Sequence, residues 1–237
     1  MRPDAVRRVL DAELTAARDR RGAAPHVLDV GAGSGVLAVS LAADGCAVTV
    51  VEPSPNALAT LHRRAVEAGV ADRITAVQSD SDALADVATP GGVDLVLAHG
   101  LLEVVDDPGA TLAALADAVA PGGALSVVVA NRFAAVLHRA VAGRLVDARR
   151  LLDDPTGTLR APGETLLRRF DTDGLTALLT DAHLVVEVLQ GQGVVSDLVG
   201  GSVLEANPDA LAELEAAAAR VPPLRDIATR LHALARR

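Results

Sequence analysis

Five short apolar runs rich in β-branched residues recur along the first 130 residues of the chain. They are HVLDV (26–30), AVTVVE (47–52), RITAVQ (73–78), VDLVLAH (93–99) and GALSVVVA (123–130). Each run is nearly continuous in hydrophobicity, which is typical of strands that are covered on both faces. Segments with helical spacing separate the runs. Strand–helix alternation of this kind predicts a parallel sheet with helices on both faces.

The alternation breaks after residue 130. Residues 131–172 form an Arg-rich, partly helical insertion, and HLVVEVLQ (183–190) then predicts a further strand. Residues 228–237 fit either a last, antiparallel strand or a helix. We therefore expect an α/β fold with a doubly wound, mostly parallel, seven-stranded sheet, in which residues 1–237 form one domain that carries the insertion.

A glycine-rich turn follows the first predicted strand. Gly31, Gly33 and Gly35 come directly after it, and a helical pattern begins at Val36. Glycine is used where the backbone takes unusual φ angles or approaches a ligand closely. Glu52 lies about 20 residues further on, at the end of the second strand. A carboxylate at that place can accept hydrogen bonds from both hydroxyls of a ribose, so the pattern predicts a nucleoside site.

The turn differs from the fingerprint that binds dinucleotides. That fingerprint, G-x-G-x-x-G, requires a glycine where this chain has Val36. Asp29 precedes the first glycine of the turn, and a carboxylate there suits a cationic ligand better than a pyrophosphate. A ligand with a ribose and a sulfonium or ammonium group, but no phosphate, satisfies both acids. S-adenosylmethionine is such a ligand.

Two further strand ends carry candidate ligand contacts. After the third strand, Asp80 can accept a hydrogen bond from an adenine amino group, and the Ser81 N–H can donate to a ring nitrogen. After the fourth strand, His99 and Gly100 lie where the reactive end of the ligand is expected. A carboxylate acceptor is ionised at pH 7 and needs no base, whereas a hydroxyl or an amine needs one. His99 is the best-placed candidate for that base.

Candidate contacts to the methyl acceptor follow the fifth strand. We expect Asn131 and Arg132 to line the substrate side, with the arginine pairing a carboxylate or a phosphate. The net charge of −9 argues against non-specific binding to nucleic acid, although residues 132–169 hold eight arginines against four acidic residues. We find no metal-binding motif, no membrane-spanning stretch and no signal-peptide core, and so expect a cytoplasmic protein.

The motifs VLDVGAGSG, VVEPSP, SDSDAL, LAHGLLEVVDDP and VAPGGALSVVVAN resemble those of class I S-adenosylmethionine-dependent methyltransferases in order and spacing, over residues 26–131. The remainder is similar to bacterial tRNA 5-carboxymethoxyuridine carboxyl-methyltransferases. The resemblance implies S-adenosylmethionine as cofactor. The contacts it implies are made by Arg2, Gly31, Gly33, Glu52, Asp80, Ser81 and His99. The chain departs from that group at Gly193 and Val195, where an arginine and an aromatic residue are usual.

Several functions stay open on the sequence alone. The resemblance and the Arg-rich insertion favour methylation of a carboxyl or another oxygen on a tRNA wobble uridine. The acidic overall charge and the missing arginine at Gly193 favour a small-molecule O- or N-methyltransferase instead. A domain that binds S-adenosylmethionine without catalysis is a third hypothesis. Nicotinamide-dependent oxidoreduction is disfavoured by Val36 and Asp29.

Overall fold

The computed structural model describes residues 5–80, 84–159 and 165–237. Within these residues seven strands form one sheet in the order β3-β2-β1-β4-β5-β7-β6. The strands are β1 (His26–Val30), β2 (Ala47–Val51), β3 (Ile74–Val77), β4 (Val93–His99), β5 (Val119–Ala130), β6 (Val185–Gln192) and β7 (Arg230–Arg236). β1 to β5 pair in parallel, whereas β7 is antiparallel to both β5 and β6. The predicted mostly parallel, seven-stranded sheet is confirmed.

Helices cover both faces of this sheet. They are α1 (Ala5–Arg21), α2 (Val36–Ala43), α3 (Pro55–Glu67), α4 (Leu84–Val87), α5 (Pro108–Ala118), α6 (Arg132–Val141), α7 (Leu145–Asp153), α8 (Thr172–Asp181), α9 (Gly201–Ala206) and α10 (Pro208–Ala218). Short 3₁₀ turns occupy Ala71–Arg73 and Arg225–Ile227. No helix of the described residues is long and apolar enough to cross a bilayer.

Alternate residues of β4 show how the two layers are built. Leu95 and Leu97 pack with Leu10 in a core that α1, α2 and α3 share. Val96, between them, packs instead with Leu112 of α5 and residues of α8. Because successive side chains of a strand point to opposite faces, a continuous apolar run fills both cores.

The predicted end of α5 lies further along the chain than the end seen in the structure. The helical spacing of residues 107–123 predicts a helix that stops at the Pro121-Gly122-Gly123 motif, but α5 ends at Ala118 and β5 begins at Val119. The motif lies inside the strand as an irregularity: Val93 pairs with Val119, while Leu95 pairs with Ala124. Gly122 has a φ of 75°, and a Cβ on Gly123 would lie 2.8 Å from a backbone oxygen. The two glycines therefore form a bulge.

The predicted insertion holds α6 and α7, which pack together beside the sheet. A small core of Ala135, Leu151 and Leu159 joins them. Asp171 caps α8, where the α/β pattern resumes, and its carboxylate accepts from the Gly174 N–H. The assignment of residues 1–237 to one domain stays a prediction.

Candidate cofactor and acceptor site

Three glycines form the turn between β1 and α2, and each meets different surroundings. Gly31, Gly33 and Gly35 all have positive φ, at 71°, 56° and 71°. A Cβ on Gly35 would lie 1.8 Å from Leu61 Cδ1, and one on Gly31 would lie 3.2 Å from Leu101 Cδ1. A Cβ on Gly33 would meet nothing within 4 Å. Gly33 therefore presents bare backbone to open space, as a closely approaching ligand requires.

Glu52 joins this turn to the start of α3. One carboxylate oxygen accepts from the Gly33 N–H at 2.9 Å, and the other accepts from the Ser54 N–H at 3.0 Å. The side chain is buried. Each carboxylate oxygen can accept a second hydrogen bond, so the anchored group keeps the capacity to bind hydroxyls.

Asp29 lies behind the turn and is buried. Desolvation raises the pKa of its carboxyl to about 7, and the nearby charge of Glu52 acts in the same direction. A positive charge brought close to these two acids would favour the ionised form of Asp29. The pair is therefore suited to a cation and would disfavour a second anion.

Two cavities meet at Gly100, whose φ is 77°. The first, called here the Glu52 cavity, has a volume of about 380 Å³. Its lining includes Gly31, Glu52, Ser79, Asp80, Gly100 and Asp106. The second, called the His99 cavity, has a volume of about 410 Å³. Its lining includes Arg7, Leu10, His99, Gly100, Glu103 and Arg230. Together they form one cleft along the carboxyl ends of β1, β2 and β4, where ligands of doubly wound sheets bind.

His99 ends β4 and reaches back over the sheet. Its Nε2 lies 2.8 Å from the Ser126 hydroxyl of β5. The ring packs edge-on against His232 of β7, with 6.3 Å between ring centroids. His99 lines the His99 cavity beside Gly100, and its expected contact with the reactive end of the ligand stays a prediction.

Glu103 is a candidate functional residue that the sequence analysis missed. It lines the His99 cavity and is only 4% exposed. One carboxylate oxygen accepts from the Ala130 N–H at 2.7 Å, while the other has no hydrogen-bond partner among the described residues. Burial raises the pKa of this carboxyl. The available signal was an acid inside the apolar stretch LLEVV, directly after the fourth strand.

Asn131 takes a different place from the one expected. Its amide nitrogen donates to the carbonyls of Asp226 and Ala228, and its oxygen accepts from the Phe133 N–H at the start of α6. It does not line the Glu52 cavity or the His99 cavity. The side chain ties the insertion to the segment that precedes β7.

Arg132 is likewise engaged in packing. It is buried, donates to the carboxylate of Asp171 and to the carbonyls of Leu151 and Leu152, and lies over the Phe133 ring. It also lines neither cavity of the cleft. Asn131 and Arg132 are therefore engaged in fastening the insertion to the sheet and do not face the cleft as substrate contacts would.

Among the other predicted contacts, Asp80 lines the Glu52 cavity next to Ser79. Arg2 and Ser81 lie outside the described residues, and their cofactor contacts stay predictions. No cluster of three or more His, Cys, Asp or Glu side chains suited to a metal ion occurs in the parts of the chain described here.

A doubly wound sheet with an acid-bearing glycine turn at its ligand edge is the arrangement of the class I methyltransferases. Residues 28–125 match the family model of the methyltransferase domain. The chain thus contains a domain of the class I S-adenosylmethionine-dependent methyltransferases.

The names of similar proteins specify different methyl acceptors. A ubiquinone biosynthesis O-methyltransferase of Xanthomonas euvesicatoria is 38% identical over 57% of this chain and 54% of its own length. A tRNA 5-carboxymethoxyuridine methyltransferase of Escherichia coli is 34% identical over 50% of this chain and 45% of its own. The chain spans about half the length of these curated relatives. An S-adenosylmethionine-dependent methyltransferase from Mesorhizobium loti shares the fold, with 18% identity, a TM-score of 0.62, and coverage of 97% and 96% of the two chains.

Proposed function

We propose that this protein transfers a methyl group from S-adenosylmethionine to a small molecule whose accepting oxygen or nitrogen carries a proton. The observation that carries the proposal is the pair of cavities meeting at Gly100. One is lined by acids that suit a cationic nucleoside. The other, of the size that small ligands occupy, is lined by apolar side chains and by the polar groups of Arg7, His99, Glu103, Gln192 and Arg230.

The Glu52 cavity supplies the groups that the cofactor requires. Glu52 would hold the ribose, and Asp80 and the Ser81 N–H would hold the adenine. Asp29, buried behind the glycine turn, would act on the cationic end through its charge. The expected Arg2 contact is retained as a proposal. When bound, S-adenosylmethionine supplies an electrophilic methyl group, and the chain's task is to hold the acceptor in line with it.

The His99 cavity favours an acceptor that must lose a proton. Within the part of the chain that the structure describes, one buried carboxylate oxygen of Glu103 has no partner, and burial raises the pKa of this carboxyl. A phenol hydroxyl or an amine can donate a hydrogen bond to that oxygen and later give up its proton to it. A carboxylate acceptor has no proton to donate to that oxygen. His99, which precedes Gly100 and lines this cavity, is the second group that we expect to touch the reacting atoms.

A tRNA acceptor is the second candidate, favoured by the relative from Escherichia coli and by the Arg-rich segment. The described arginines of this segment are largely engaged within the chain. Arg144 pairs with Asp147 and Arg149 pairs with Asp153, while Arg168 donates to the backbone carbonyls of 102, 105 and 106. These pairings leave less uncompensated positive charge for phosphates than the count of arginines suggests.

The test is transfer of labelled methyl from S-adenosylmethionine to two sets of acceptors, folded bulk tRNA and a panel of phenols, amines and carboxylic acids. We expect label in phenols or amines, at rates that change little between about 50 and 200 mM salt. A tRNA-binding enzyme would lose affinity steeply over that range. Transfer to tRNA alone would contradict the proposal, and so would tight cofactor binding with no transfer to any acceptor.

Glu103→Gln sharpens the test, because it keeps the shape of the side chain and removes the base. We expect kcat to fall about 100-fold or more, with unchanged affinity for S-adenosylmethionine. Glu67→Gln on the exposed face of α3 is the matched control and should be neutral. The cytoplasmic location expected from the sequence remains part of this proposal.

A further inference from the structure

A row of polar side chains, the middle three of them buried, crosses four neighbouring strands and ends at His99. Ser126 of β5, His232 of β7 and Gln190 of β6 continue the row, and Arg220, just after α10, closes it. Ser126 and His232 are fully buried and Gln190 is 2% exposed. The row lies on the sheet face that α1 covers, among residues that otherwise form an apolar core.

Each link of the row is a hydrogen bond. His99 Nε2 lies 2.8 Å from Ser126 Oγ, which lies 3.0 Å from His232 Nε2. His232 Nδ1 lies 2.9 Å from Gln190 Nε2, and the Arg220 Nε–H donates to Gln190 Oε1 at 3.4 Å. Buried polar groups in an apolar core are costly unless every one is paired, so a complete chain of this kind specifies one arrangement.

Arg220 sets the direction of the chain. A guanidinium can only donate, so the Gln190 oxygen must face it and the Gln190 amide N–H must face His232. His232 Nδ1 therefore accepts, and the proton of its neutral ring is on Nε2. The ring is neutral at pH 7, because burial lowers the pKa of His232 to about 3, and the charges of His99 and Arg220 act in the same direction.

The remaining two links follow from the same count of donors. The His232 Nε2–H donates to Ser126 Oγ, and a hydroxyl that accepts this bond has its single proton left to donate to His99 Nε2. The neutral His99 ring must then carry its proton on Nδ1. An arginine at the far end of the row thus decides which nitrogen of His99 is protonated.

We propose that Arg220, Gln190, His232 and Ser126 are positioning residues that hold His99 as the Nδ1-protonated tautomer, so that its neutral ring acts as a hydrogen-bond donor and not as the general base. The role at the reacting atoms rests on the proposed function, whereas the tautomer itself does not. The row is not a path for proton removal, because it ends on an amide and a guanidinium that accept no proton at neutral pH. Deprotonation of the acceptor is then left to Glu103.

The decisive experiment is two-bond ¹H–¹⁵N correlation NMR of the imidazole rings, which distinguishes the two neutral tautomers. We expect wild-type His99 to be protonated on Nδ1 and His232 on Nε2 at pH 8. In Gln190→Glu, the ionised carboxylate accepts from both Arg220 and His232, which reverses the three bonds between residue 190 and His99. His99 should then move to the Nε2-protonated tautomer. An Nε2-protonated wild-type His99, or an unchanged tautomer in this variant, would overturn the proposal.

Arg220→Met provides a second variant at an exposed position, where correct folding is easier to keep. Without the fixed donor, the Gln190 amide can take either orientation, so both His99 tautomers should be populated. A single Nδ1-protonated form in Arg220→Met would overturn the assignment of direction to Arg220. In kinetics, we expect Gln190→Glu to lower kcat severalfold without changing the affinity for S-adenosylmethionine. Failure of the cofactor to bind wild-type protein would refute the proposed function and leave the tautomer assignment intact.

Discussion

The Glu52 cavity and the His99 cavity share Gly100 but are built in different ways. The first is assembled from strand ends and the loops after them between residues 30 and 106, all within the stretch that matches the methyltransferase family model. The second draws on α1, β4, β5, β7 and Leu166 of the insertion, over residues 6 to 230. One half of the cleft is therefore a local motif, whereas the other half depends on the whole fold.

The two halves also bind by different chemistry. Around the glycine turn, backbone N–H groups and two acids leave little freedom in the kind of ligand that fits. In the His99 cavity, apolar side chains lie beside the polar groups of Arg7, His99, Glu103, Gln192 and Arg230, so several kinds of acceptor can be accommodated. Chains that share the first half can therefore differ in acceptor, as the names of the two relatives do.

The largest effect is expected where the insertion is fastened to the sheet. Arg132→Met removes one partner of a buried ion pair and strands the charge of Asp171, which should cost about 3–5 kcal/mol in the free energy of unfolding. Arg149→Met breaks an exposed pair in the same segment and should cost about 1 kcal/mol or less. Urea titration measures both. If Arg132→Met and Arg149→Met were equally stable and Arg132→Met lost affinity for the acceptor, Arg132 would be a substrate contact.

A smaller effect is expected from the glycine turn. Gly35→Ala places a methyl group against Leu61 at a positive φ, so we expect unfolding to become easier by about 2–4 kcal/mol. Gly33→Ala meets no neighbour and should cost about 1–2 kcal/mol from its φ alone, while weakening the cofactor severalfold. Thermal unfolding and calorimetric titration separate these two outcomes. The account of the turn fails if the two variants are equally stable.

Asp29 makes the Glu52 half of the cleft sensitive to pH. Its folded pKa of about 7 lies above the ordinary value of 3.8, so its contribution to folding is greatest below about pH 4 and is lost as the pH rises through 7. The ionised form attracts a cation, so affinity for S-adenosylmethionine should increase several-fold from pH 6 to pH 8. Asp29→Asn should flatten this profile, whereas exposed Asp72→Asn should not. A profile that Asp29→Asn leaves unchanged would assign the effect to another group.

The sequence predicted the Glu52 half well because its determinants are close in the chain. Gly31, Gly33 and Glu52 lie within 22 residues, and the alternation of apolar runs with helical segments predicts the sheet. The Pro121-Gly122-Gly123 motif predicts a helix end, but it forms a bulge in β5, because the same residue types serve both purposes. The role of Glu103 depends on Ala130, and that of His99 depends on Ser126, His232 and Gln190. Spacing along the chain does not reveal such contacts between distant strands.

The substrate-side prediction shows the same limit. Asn131 and Arg132 come after the end of a strand, which is where ligand contacts are common, and both types of side chain are used for binding. What sequence could not show is that Asp171, Leu151 and the backbone near Asp226 take up their hydrogen bonds first. A polar residue at a strand end becomes a ligand contact only where the fold leaves it facing the cleft.

Calorimetric titration of wild-type protein and Glu52→Gln with S-adenosylmethionine, with NAD as the competing ligand, tests the central claim most directly. We expect wild-type protein to bind S-adenosylmethionine and to prefer it to NAD. The glutamine keeps one acceptor but loses the charge, so affinity should fall about 10- to 150-fold, equivalent to about 1.5–3 kcal/mol. Unfolding midpoints of the two proteins serve as the control for fold. Unchanged affinity in Glu52→Gln, or tighter binding of NAD than of S-adenosylmethionine, would contradict the account.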